Sequence, residues 1–208
     1  MTDNESRYDK LLKINTSGRD DTRSDEYRYP YEPTPYSVLE RIAESGLFGE
    51  NDTVLDYGCG KGRVGIFLSR RTGAKSIGIE YDERILLCAQ ENKSSSGIGD
   101  RAEFILSRAE EYAVPDNVSR CYFFNPFSAE LLHKVLARIT ESYYSCQREI
   151  LLLFYYPSDE YISCLMTAEE LDFYGEIDCR DIFSPSATSR TADMRERVCI
   201  FAVGGAYK

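Results

Sequence analysis

The sequence has little of what a structural metal site or a disulfide framework requires. It contains one histidine, His133, and its seven cysteines are scattered with no CxxC pair among them. Structural zinc sites need closely spaced cysteine and histidine ligands, and disulfide-rich domains need paired cysteines, so both classes are disfavoured. The cysteine usage instead indicates a reducing compartment.

Long apolar runs and an excess of basic residues are also missing. No run approaches the roughly 20 apolar residues that a membrane-spanning helix needs, and the N-terminal MTDNESRYDK is too polar for a signal peptide. The chain has 25 Lys and Arg against 35 Asp and Glu, for a formal net charge of -10. Because nucleic-acid binding relies on clustered basic side chains, this balance disfavours a nucleic-acid partner. We therefore expect a cytoplasmic protein with no membrane partner.

The sequence does contain enough apolar residues for one domain. With 208 residues, 42% of them hydrophobic, it can bury one sizeable core. Residues 1–24 are charged and, apart from one LLKI run, nearly free of large aliphatic side chains, which predicts a mobile N-terminal arm. Residues 25–208 are predicted to form the domain. Its first part, 25–50, comprises an extended lead-in rich in tyrosine and proline, and a helix that starts at Thr34 or Ser37.

After residue 52, short apolar runs alternate with segments of helical periodicity. The apolar residues between 131 and 139 recur at i, i+1, i+4, i+5 and i+8, as on one face of an amphipathic helix, and a second helix is predicted over 161–171. This alternation indicates a βαβ architecture, which is a mainly parallel sheet with helices on both faces. The predicted strands comprise residues 53–57, 76–80, 102–106, 120–125, 150–155, 173–181 and 198–204.

The stretch DYGCGKG begins at the end of the first predicted strand and contains three alternating glycines, Gly58, Gly60 and Gly62. In a doubly wound sheet the ligand lies outside the carboxyl ends of the strands, and the first strand-to-helix turn approaches it most closely. Glycine in such a turn permits positive φ and removes the Cβ that would hold a bulky ligand away. The spacing differs from the dinucleotide fingerprint G-x-G-x-x-G, because Arg63 stands where the third glycine belongs, and the P-loop pattern is absent.

A carboxylate closes the second predicted strand. Glu80, in the stretch SIGIEYDE, stands about 20 residues after the glycine turn, where it can accept hydrogen bonds from both hydroxyls of a ribose. A nicotinamide-dependent enzyme would use the same acid. Glu80 by itself therefore predicts a nucleotide ligand without identifying it.

An acid two residues ahead of G-x-G-x-G resembles the nucleotide-binding motif of class I S-adenosylmethionine-dependent methyltransferases, and the resemblance runs from about Thr53 to Asn125. It implies an α/β, Rossmann-like class I methyltransferase fold, with a seven-stranded, mainly parallel sheet and an antiparallel last strand in a three-layer αβα sandwich. It also implies S-adenosyl-L-methionine as the cofactor. Asp56 would lie near the amino-acid part of that cofactor and favour its ammonium group electrostatically, while Tyr81 would pack beside the adenine.

After the third predicted strand the family often has an acid followed by alanine, whereas this chain has Arg108-Ala109-Glu110. The contact to the adenine amino group is therefore expected from Glu110 or from the backbone. Thr34 and the tyrosines before it are expected to close over the cofactor, as leading segments in this fold often do. The predicted cofactor-binding set comprises Thr34, Asp56, Gly58, Cys59, Gly60, Gly62, Glu80, Tyr81, Ala109, Glu110 and Asn125.

At the end of the fourth predicted strand, Asn125-Pro126-Phe127 resembles the [DN]-P-P-[YFW] signature of methyltransferases that act on planar amino groups. The resemblance implies that Asn125 accepts a hydrogen bond from the target NH2 group and that Phe127 stacks on the acceptor, so both are predicted catalytic residues. This chain lacks the second proline, and its aromatic residue comes one position early. The alternative is that Asn125 caps a helix that begins at the adjacent proline.

An aromatic acceptor pocket is predicted at the same rim, from Tyr155, Tyr156 and the polar loop 184–197. The sequence thus predicts an S-adenosylmethionine-dependent methyltransferase that N-methylates an amino or amide acceptor, which is a small molecule, a protein or, less in keeping with the acidic charge, a nucleobase. One alternative is an NAD(P)-dependent oxidoreductase, against which the missing third glycine counts. The other is a non-catalytic S-adenosylmethionine-binding protein. A monomer and a homodimer are both compatible with the sequence.

Overall fold

The computed structural model describes residues 3–20, 22, 27–183 and 193–204. Within these ranges no helix is long and apolar enough to cross a bilayer. The helices are α1 (Asp3–Leu12), α2 (Tyr36–Glu44), α3 (Arg63–Thr72), α4 (Glu83–Ser96), α5 (Ala129–Ser145), α6 (Asp159–Thr167) and α7 (Arg180–Phe183), with a 3₁₀ turn at Gly99–Arg101. The strands are β1 (Thr53–Tyr57), β2 (Lys75–Glu80), β3 (Ala102–Leu106), β4 (Arg120–Phe123), β5 (Leu151–Tyr155), β6 (Leu171–Asp178) and β7 (Arg197–Val203).

The strands form one seven-stranded sheet in the order β3-β2-β1-β4-β5-β7-β6. The first five strands in this order run parallel, whereas β7 is antiparallel to both of its neighbours, β5 and β6. This confirms the predicted fold class, including the antiparallel last strand. The strand order reverses between β1 and β4, so the carboxyl ends of these two strands are where a ligand crevice is expected.

Helices cover both faces of the sheet and make it the middle of three layers. The strands β1, β4 and β5 are buried along their whole lengths, as parallel strands covered on both faces should be. On one face, α1 to α4 pack around a core that includes Leu39 and Phe67. On the other face, α5 and α6 pack around a core that includes Leu132, Val135 and Tyr161.

The start of α2 differs from both predicted positions. The helix begins at Tyr36 with Pro35 in the N-cap position, and no side chain caps it. Thr34 is occupied elsewhere, because its Oγ1 lies 2.9 Å from the hydroxyl of Tyr122 in β4. The Thr34 side chain, which the local sequence pattern predicted as a helix cap, is thus hydrogen-bonded to a residue of the distant strand β4 instead.

The boundaries of α6 and β6 also differ from prediction, each because of a local hydrogen bond. Ser158 caps α6 by accepting a hydrogen bond from the Tyr161 N–H at 3.2 Å, so the helix begins earlier than expected. Asp178 Oδ1 accepts a hydrogen bond from the Arg180 N–H at 2.9 Å, which turns the chain into α7 and ends β6 early.

Residues 3–20 form a packed part of the molecule, which corrects the mobile arm predicted for residues 1–24. Tyr8 and Leu12 lie four positions apart in α1 and therefore on one helix face. Leu12 is buried, and the ring of Tyr8 stacks on Tyr36 with ring centroids 4.8 Å apart. The composition of the segment is polar, but Tyr8 and Leu12 share the helix face that meets the core. The other positions of the predicted arm, apart from residue 22, lie outside the described residues.

Candidate functional site

A pocket opens at the carboxyl ends of β1, β2 and β4, where the strand order reverses. We call it the strand-end pocket. Its floor includes Asp56, Gly58 and Glu80, and its cover is the lead-in, residues 27–35. Predicted site residues from separate segments of the chain meet here, namely Thr34, Asp56, Gly58, Glu80, Tyr81, Ala109 and Glu110.

The glycine turn has the predicted backbone, but protein side chains rather than open space lie against it. Gly58, Gly60 and Gly62 have φ values of 71°, 53° and 81°, which favour glycine. A Cβ on Gly60 would lie 2.2 Å from a ring carbon of Tyr31, and one on Gly58 would lie 2.6 Å from Pro126 Cβ. The glycines therefore admit the neighbouring chain as closely as they were expected to admit a ligand. Cys59 points the other way, into the core against β2.

Asp56 lines the strand-end pocket and has a carboxyl oxygen without a hydrogen-bond partner among the described residues. The residue is 2% exposed, and its Oδ2 has no hydrogen-bond partner among the described residues. Burial, together with the charge of Glu80, raises the pKa of Asp56 to about 8. A buried polar atom without a partner costs free energy. A ligand group that donates a hydrogen bond or carries a positive charge would remove that cost.

Glu80, in contrast, is held by backbone donors. Its Oε1 accepts hydrogen bonds from the Tyr81 and Asp82 N–H groups at 2.9 and 3.0 Å, and its Oε2 accepts one from the Gly60 N–H at 3.1 Å. Burial raises the pKa of Glu80, and these three hydrogen bonds act against the increase. The carboxylate is thus fixed in orientation, and it ties the end of β2 to the glycine turn.

The far end of the pocket contains an ion pair over an aromatic ring. The guanidinium of Arg28 lies 2.9 Å from Glu110 Oε1 and 5.1 Å from the centroid of the Tyr81 ring. The other oxygen of Glu110, Oε2, is buried with no hydrogen-bond partner among the described residues. Tyr81, Ala109 and Glu110 are therefore brought together as predicted. Sequence reasoning missed Arg28, because nothing in the local pattern of the lead-in shows which part of the sheet it crosses.

The lead-in is docked on the end of β4 by backbone hydrogen bonds. The Tyr29 N–H donates to Pro126 O at 3.2 Å, and the Ser128 N–H donates to Tyr27 O at 2.8 Å. Farther along, the hydroxyl of Tyr31 donates to Thr16 O at 2.6 Å. The cover of the pocket is therefore a fixed segment that joins β4 to the N-terminal part of the chain.

Arg63, the first residue of α3, connects that cover to α1. Its side chain is 3% exposed and pairs with Glu5, donates to Thr34 O at 2.9 Å and to Thr16 Oγ1 at 2.7 Å, and lies 3.8 Å from an oxygen of Asp9. In the sequence, Arg63 only stands where a dinucleotide fingerprint would have its third glycine. The structure gives it a positioning role, since it joins α1, the lead-in and the start of α3.

Asn125 and Phe127, the predicted catalytic residues, do not line the same pocket: Phe127 lines the strand-end pocket, and Asn125 lines a second pocket. Asn125 has φ 41°. Its side-chain amide is hydrogen-bonded to backbone groups: Nδ2 donates to Tyr156 O at 2.7 Å, and Oδ1 accepts from the Ser158 N–H at 3.3 Å. Phe127 is 4% exposed and belongs to the core. The helix-cap alternative for Asn125 is wrong, because Ser128 caps α5.

A second pocket lies beside the first at the ends of β4 and β5, and we call it the rim pocket. Its wall is aromatic and includes the predicted Tyr155 and Tyr156. Of the predicted overhanging loop, residues 184–192 lie outside the described residues, and Glu196 contributes to the wall. The residues that line both pockets are Tyr29, Pro30, Glu32, Pro33 and Phe124.

Comparison with known proteins adds a sequence match over the first half of the sheet. Residues 54–145 match the model of a family described as a methyltransferase domain. The chain is 32% identical over 86 residues to the ribosomal protein L11 methyltransferase of Haemophilus ducreyi, which covers 41% of this chain and 29% of that protein. It is 32% identical over 77 residues to a protein-lysine N-methyltransferase of Saccharolobus islandicus, covering 36% of this chain and 48% of that protein. The matches thus span less than half of these curated relatives.

Solved structures match over most of the chain. An RNA methyltransferase from Salinibacter ruber, in complex with S-adenosyl-L-homocysteine, aligns with a TM-score of 0.55 at 20% identity, covering 85% of this chain and 95% of that one. At this identity the likeness concerns the fold.

Proposed function

We propose that this chain, which carries a methyltransferase domain of the class I fold, transfers the methyl group of S-adenosyl-L-methionine to a nitrogen acceptor. The strand-end pocket would hold the cofactor, and the rim pocket would hold the acceptor. S-adenosyl-L-methionine, when bound, supplies a methyl group on a sulfonium that a lone pair can attack. The residues of the chain then have to bind, orient and exclude water.

One observation carries the proposal, namely the unpartnered Oδ2 of buried Asp56 in the strand-end pocket. A carboxylate in such a place is matched by a cationic donor, and the amino-acid part of the proposed cofactor has an ammonium group. Binding of the ammonium group would favour the ionised form of Asp56 and give its unpartnered oxygen a charge-assisted hydrogen bond. Asp56 would therefore fix the amino-acid end of the cofactor.

Glu80 and Glu110 suit the nucleoside part. A carboxylate has about four lone-pair sites, and Glu80 uses three of them for backbone N–H groups. The remaining site, on Oε2, can accept one ribose hydroxyl, where the sequence predicted two. Oε2 of Glu110, buried and without a partner among the described residues, can accept a hydrogen bond from the adenine amino group beside Tyr81.

The lead-in would separate the cofactor from bulk water. Tyr31 and Thr34 line the strand-end pocket from above, and both are anchored, Tyr31 to Thr16 O and Thr34 to Tyr122. Displacement at a sulfonium methyl group needs alignment and a dry site more than an acid or base. A fixed cover meets both needs.

The choice of nitrogen as the acceptor atom is supported by one of the relatives, which is a protein-lysine N-methyltransferase. The Asn-Pro-Phe stretch supports it less directly than the sequence implied, since the Asn125 amide already bonds to backbone groups. We assign Asn125 a positioning role at the rim and Phe127 a packing role beneath it. The acceptor proposed is a small molecule or a protein.

A nicotinamide dinucleotide fits the strand-end pocket less well. It would bring a pyrophosphate to the N-terminus of α3. There Arg63 is already paired with Glu5 and lies 3.8 Å from Asp9, and Asp56 lines the same pocket. Carboxylates in these positions oppose a ligand with two negative charges.

Calorimetric titration with S-adenosyl-L-methionine, S-adenosyl-L-homocysteine and NAD tests the proposal. We expect micromolar binding of the first two and none of NAD. Glu80→Gln should weaken S-adenosyl-L-homocysteine binding roughly tenfold or more, because its single amide oxygen cannot replace both carboxylate oxygens. Glu83→Gln, an exposed change in the first turn of α4, is the matched control.

Binding of NAD alone would overturn the proposal in favour of an oxidoreductase. Binding of S-adenosyl-L-methionine with no release of S-adenosyl-L-homocysteine in the presence of amines or lysine-containing peptides would favour a non-catalytic binding protein. Unchanged affinity in folded Glu80→Gln would remove Glu80 as the ribose ligand while leaving the cofactor in place.

A further inference from the structure

The rim pocket has a composition that the proposed function leaves unexplained. Aromatic side chains from several elements surround it, and two of its lining residues are carboxylates, Glu32 and Glu196. One lining residue, Arg19, is cationic, and both Arg19 and Glu32 are exposed, whereas Glu196 is half-buried. The aromatic residues of the wall are Tyr29, Phe124, Tyr155, Tyr156 and Phe183.

From this arrangement we infer that the rim pocket binds an aliphatic or benzylic amine in its protonated, cationic form, and that this amine is the methyl acceptor. The inference rests on the proposed function, since it names the acceptor class of the same transfer. Aromatic faces attract ammonium groups through the ring quadrupole, and the carboxylates provide the opposite charge. An anionic acceptor would meet Glu32 and Glu196.

The wall already binds a cation within the chain itself. The guanidinium of Arg195 lies 4.7 Å from the centroid of the Tyr156 ring, while its charge is paired with Asp193. Tyr156 has an unusual backbone conformation, with φ 50°; its carbonyl oxygen accepts a hydrogen bond from Asn125 Nδ2, and its hydroxyl donates one to Asp193 Oδ2. Non-glycine residues at such φ values concentrate at functional sites. The ring of Tyr156 is thus fixed at the pocket wall with a face that accepts positive charge.

Glu196 is the carboxylate best placed to orient an ammonium group. It is half-buried, and its Oε2 accepts a hydrogen bond from the hydroxyl of Tyr155 at 2.9 Å. The hydrogen bond from Tyr155 therefore orients Oε2, while Oε1 of the same carboxylate does not bond to Tyr155. The pocket shares Tyr29, Glu32 and Phe124 with the strand-end pocket, so a bound amine lies next to the proposed cofactor site.

The rim pocket also contains a group that can accept the proton which the amine must lose before methyl transfer. An ammonium group has no lone pair, so it must first lose one proton, and the Glu196 carboxylate can accept that proton, leaving a neutral amine and a carboxylic acid. The amine lone pair then forms the new N–CH3 bond as the S–CH3 bond breaks. The products are a methylated ammonium group and a neutral thioether.

Ligand-observed NMR with benzylamine, benzyl alcohol and benzoate tests the inference on the full chain. The probes share a ring and differ in charge, and each is titrated with and without S-adenosyl-L-homocysteine. We expect benzylamine to bind at least roughly tenfold more tightly than benzyl alcohol, in keeping with one desolvated cationic contact. Benzoate should bind no better than benzyl alcohol.

Two variants locate the effect. Glu196→Gln keeps an oxygen that can accept the Tyr155 hydrogen bond, and it should remove most of the preference for benzylamine. Glu169→Gln, an exposed residue outside both pockets, is the matched charge control and should leave that preference unchanged. Equal binding of benzylamine and benzyl alcohol, or an unchanged preference in folded Glu196→Gln, would overturn the inference.

The two proposals fail separately in this experiment. If S-adenosyl-L-homocysteine binds and the probes show no preference for positive charge, the acceptor class is wrong and the cofactor proposal stands. If S-adenosyl-L-homocysteine does not bind, the cofactor proposal fails, and the probe titrations alone decide whether the rim pocket selects cations.

Discussion

Asp56 and Glu80 show how one pocket gives two carboxylates different surroundings. Glu80 has three backbone N–H donors within hydrogen-bond distance, whereas Oδ2 of Asp56 has none among the described residues. Burial raises the pKa of both groups, and for Asp56 the pKa reaches about 8. Without a cationic partner, Asp56 is therefore mostly protonated near neutral pH, and a bound cationic ligand would favour its charged form.

The raised pKa of Asp56 makes the stability of the protein depend on pH. Since the folded-state pKa of about 8 lies above the ordinary value of 3.8, the folded state binds more protons, and the free energy of unfolding falls as pH rises between these values. Asp56→Asn removes this dependence. We expect urea unfolding to show a gain of about 2 kcal/mol or more at pH 8 and little gain at pH 4.

The same variant should lose affinity for S-adenosyl-L-homocysteine, because the ammonium group loses its charged partner. Asp100→Asn, in the exposed 3₁₀ turn, is the control. A variant that shows no gain in stability at pH 8 would mean that Asp56 has a partner in solution.

Asn125 illustrates a residue whose importance is geometric. It and Tyr156 both have positive φ, 41° and 50°, at the ends of the adjacent strands β4 and β5, and one hydrogen bond joins them. Each conformation is disfavoured for a residue with a Cβ. Their mutual support shapes the rim, which is a different role from the direct acceptor contact that the sequence implied.

At the scale of elements, the glycine turn and the lead-in act as a matched pair. A Cβ on Gly60 would lie 2.2 Å from a ring carbon of Tyr31. The Gly60 N–H, in turn, donates a hydrogen bond to Glu80 Oε2. The cover can approach the turn only because the turn lacks side chains. Close docking of the cover, rather than room for a ligand alone, therefore accounts for Gly60.

Gly60→Ala should separate backbone strain from the clash with Tyr31. We expect a loss of about 2 kcal/mol or more in the free energy of unfolding, measured in urea, because a Cβ adds both terms. Gly97→Ala is the control, since Gly97 has φ 66° and nothing within 4 Å of its Cβ position, and it should cost about 1 kcal/mol.

Adding Tyr31→Ala to Gly60→Ala should cost less than the two single changes together, because the clash is then gone. If the stability loss of the double variant equals the sum of the losses of the two single variants, the ring of Tyr31 does not contact the turn.

At the scale of the whole molecule, Arg63 makes the N-terminal segment part of the site. Its guanidinium joins Glu5 and Thr16 to the carbonyl of Thr34, and it lies 4.2 Å from the centroid of the Tyr36 ring. The helix α1 thus supports the cover of the strand-end pocket from outside the region that matches the methyltransferase family.

Arg63→Gln should therefore destabilise the protein and loosen its cover together. Removing one partner of a buried charge cluster costs about 3 kcal/mol, while Arg71→Gln, in an exposed pair with Glu44, should change stability little. Hydrogen exchange should become faster in α1 and the lead-in of Arg63→Gln. Faster exchange in α1 alone would show that α1 does not hold the cover.

The sequence by itself determined the sheet and the floor of the strand-end pocket. Alternating apolar runs and helical periods fixed the order of elements, and Asp56, Gly58 and Glu80 follow strands whose carboxyl ends must meet at one edge of a parallel sheet. These features are local in the chain, because hydrophobic period and turn chemistry act over a few residues.

Only the tertiary structure decided what covers the pocket and what lines its rim. Arg28 meets Glu110 and Tyr31 meets Gly60 across long separations in the chain, and α1 packs on the core through only a few large side chains. The Asn125 amide, assigned to an acceptor by its motif, bonds to the chain after β5. Such pairings depend on which distant groups the fold brings within a few ångströms, and no local pattern of residues encodes that.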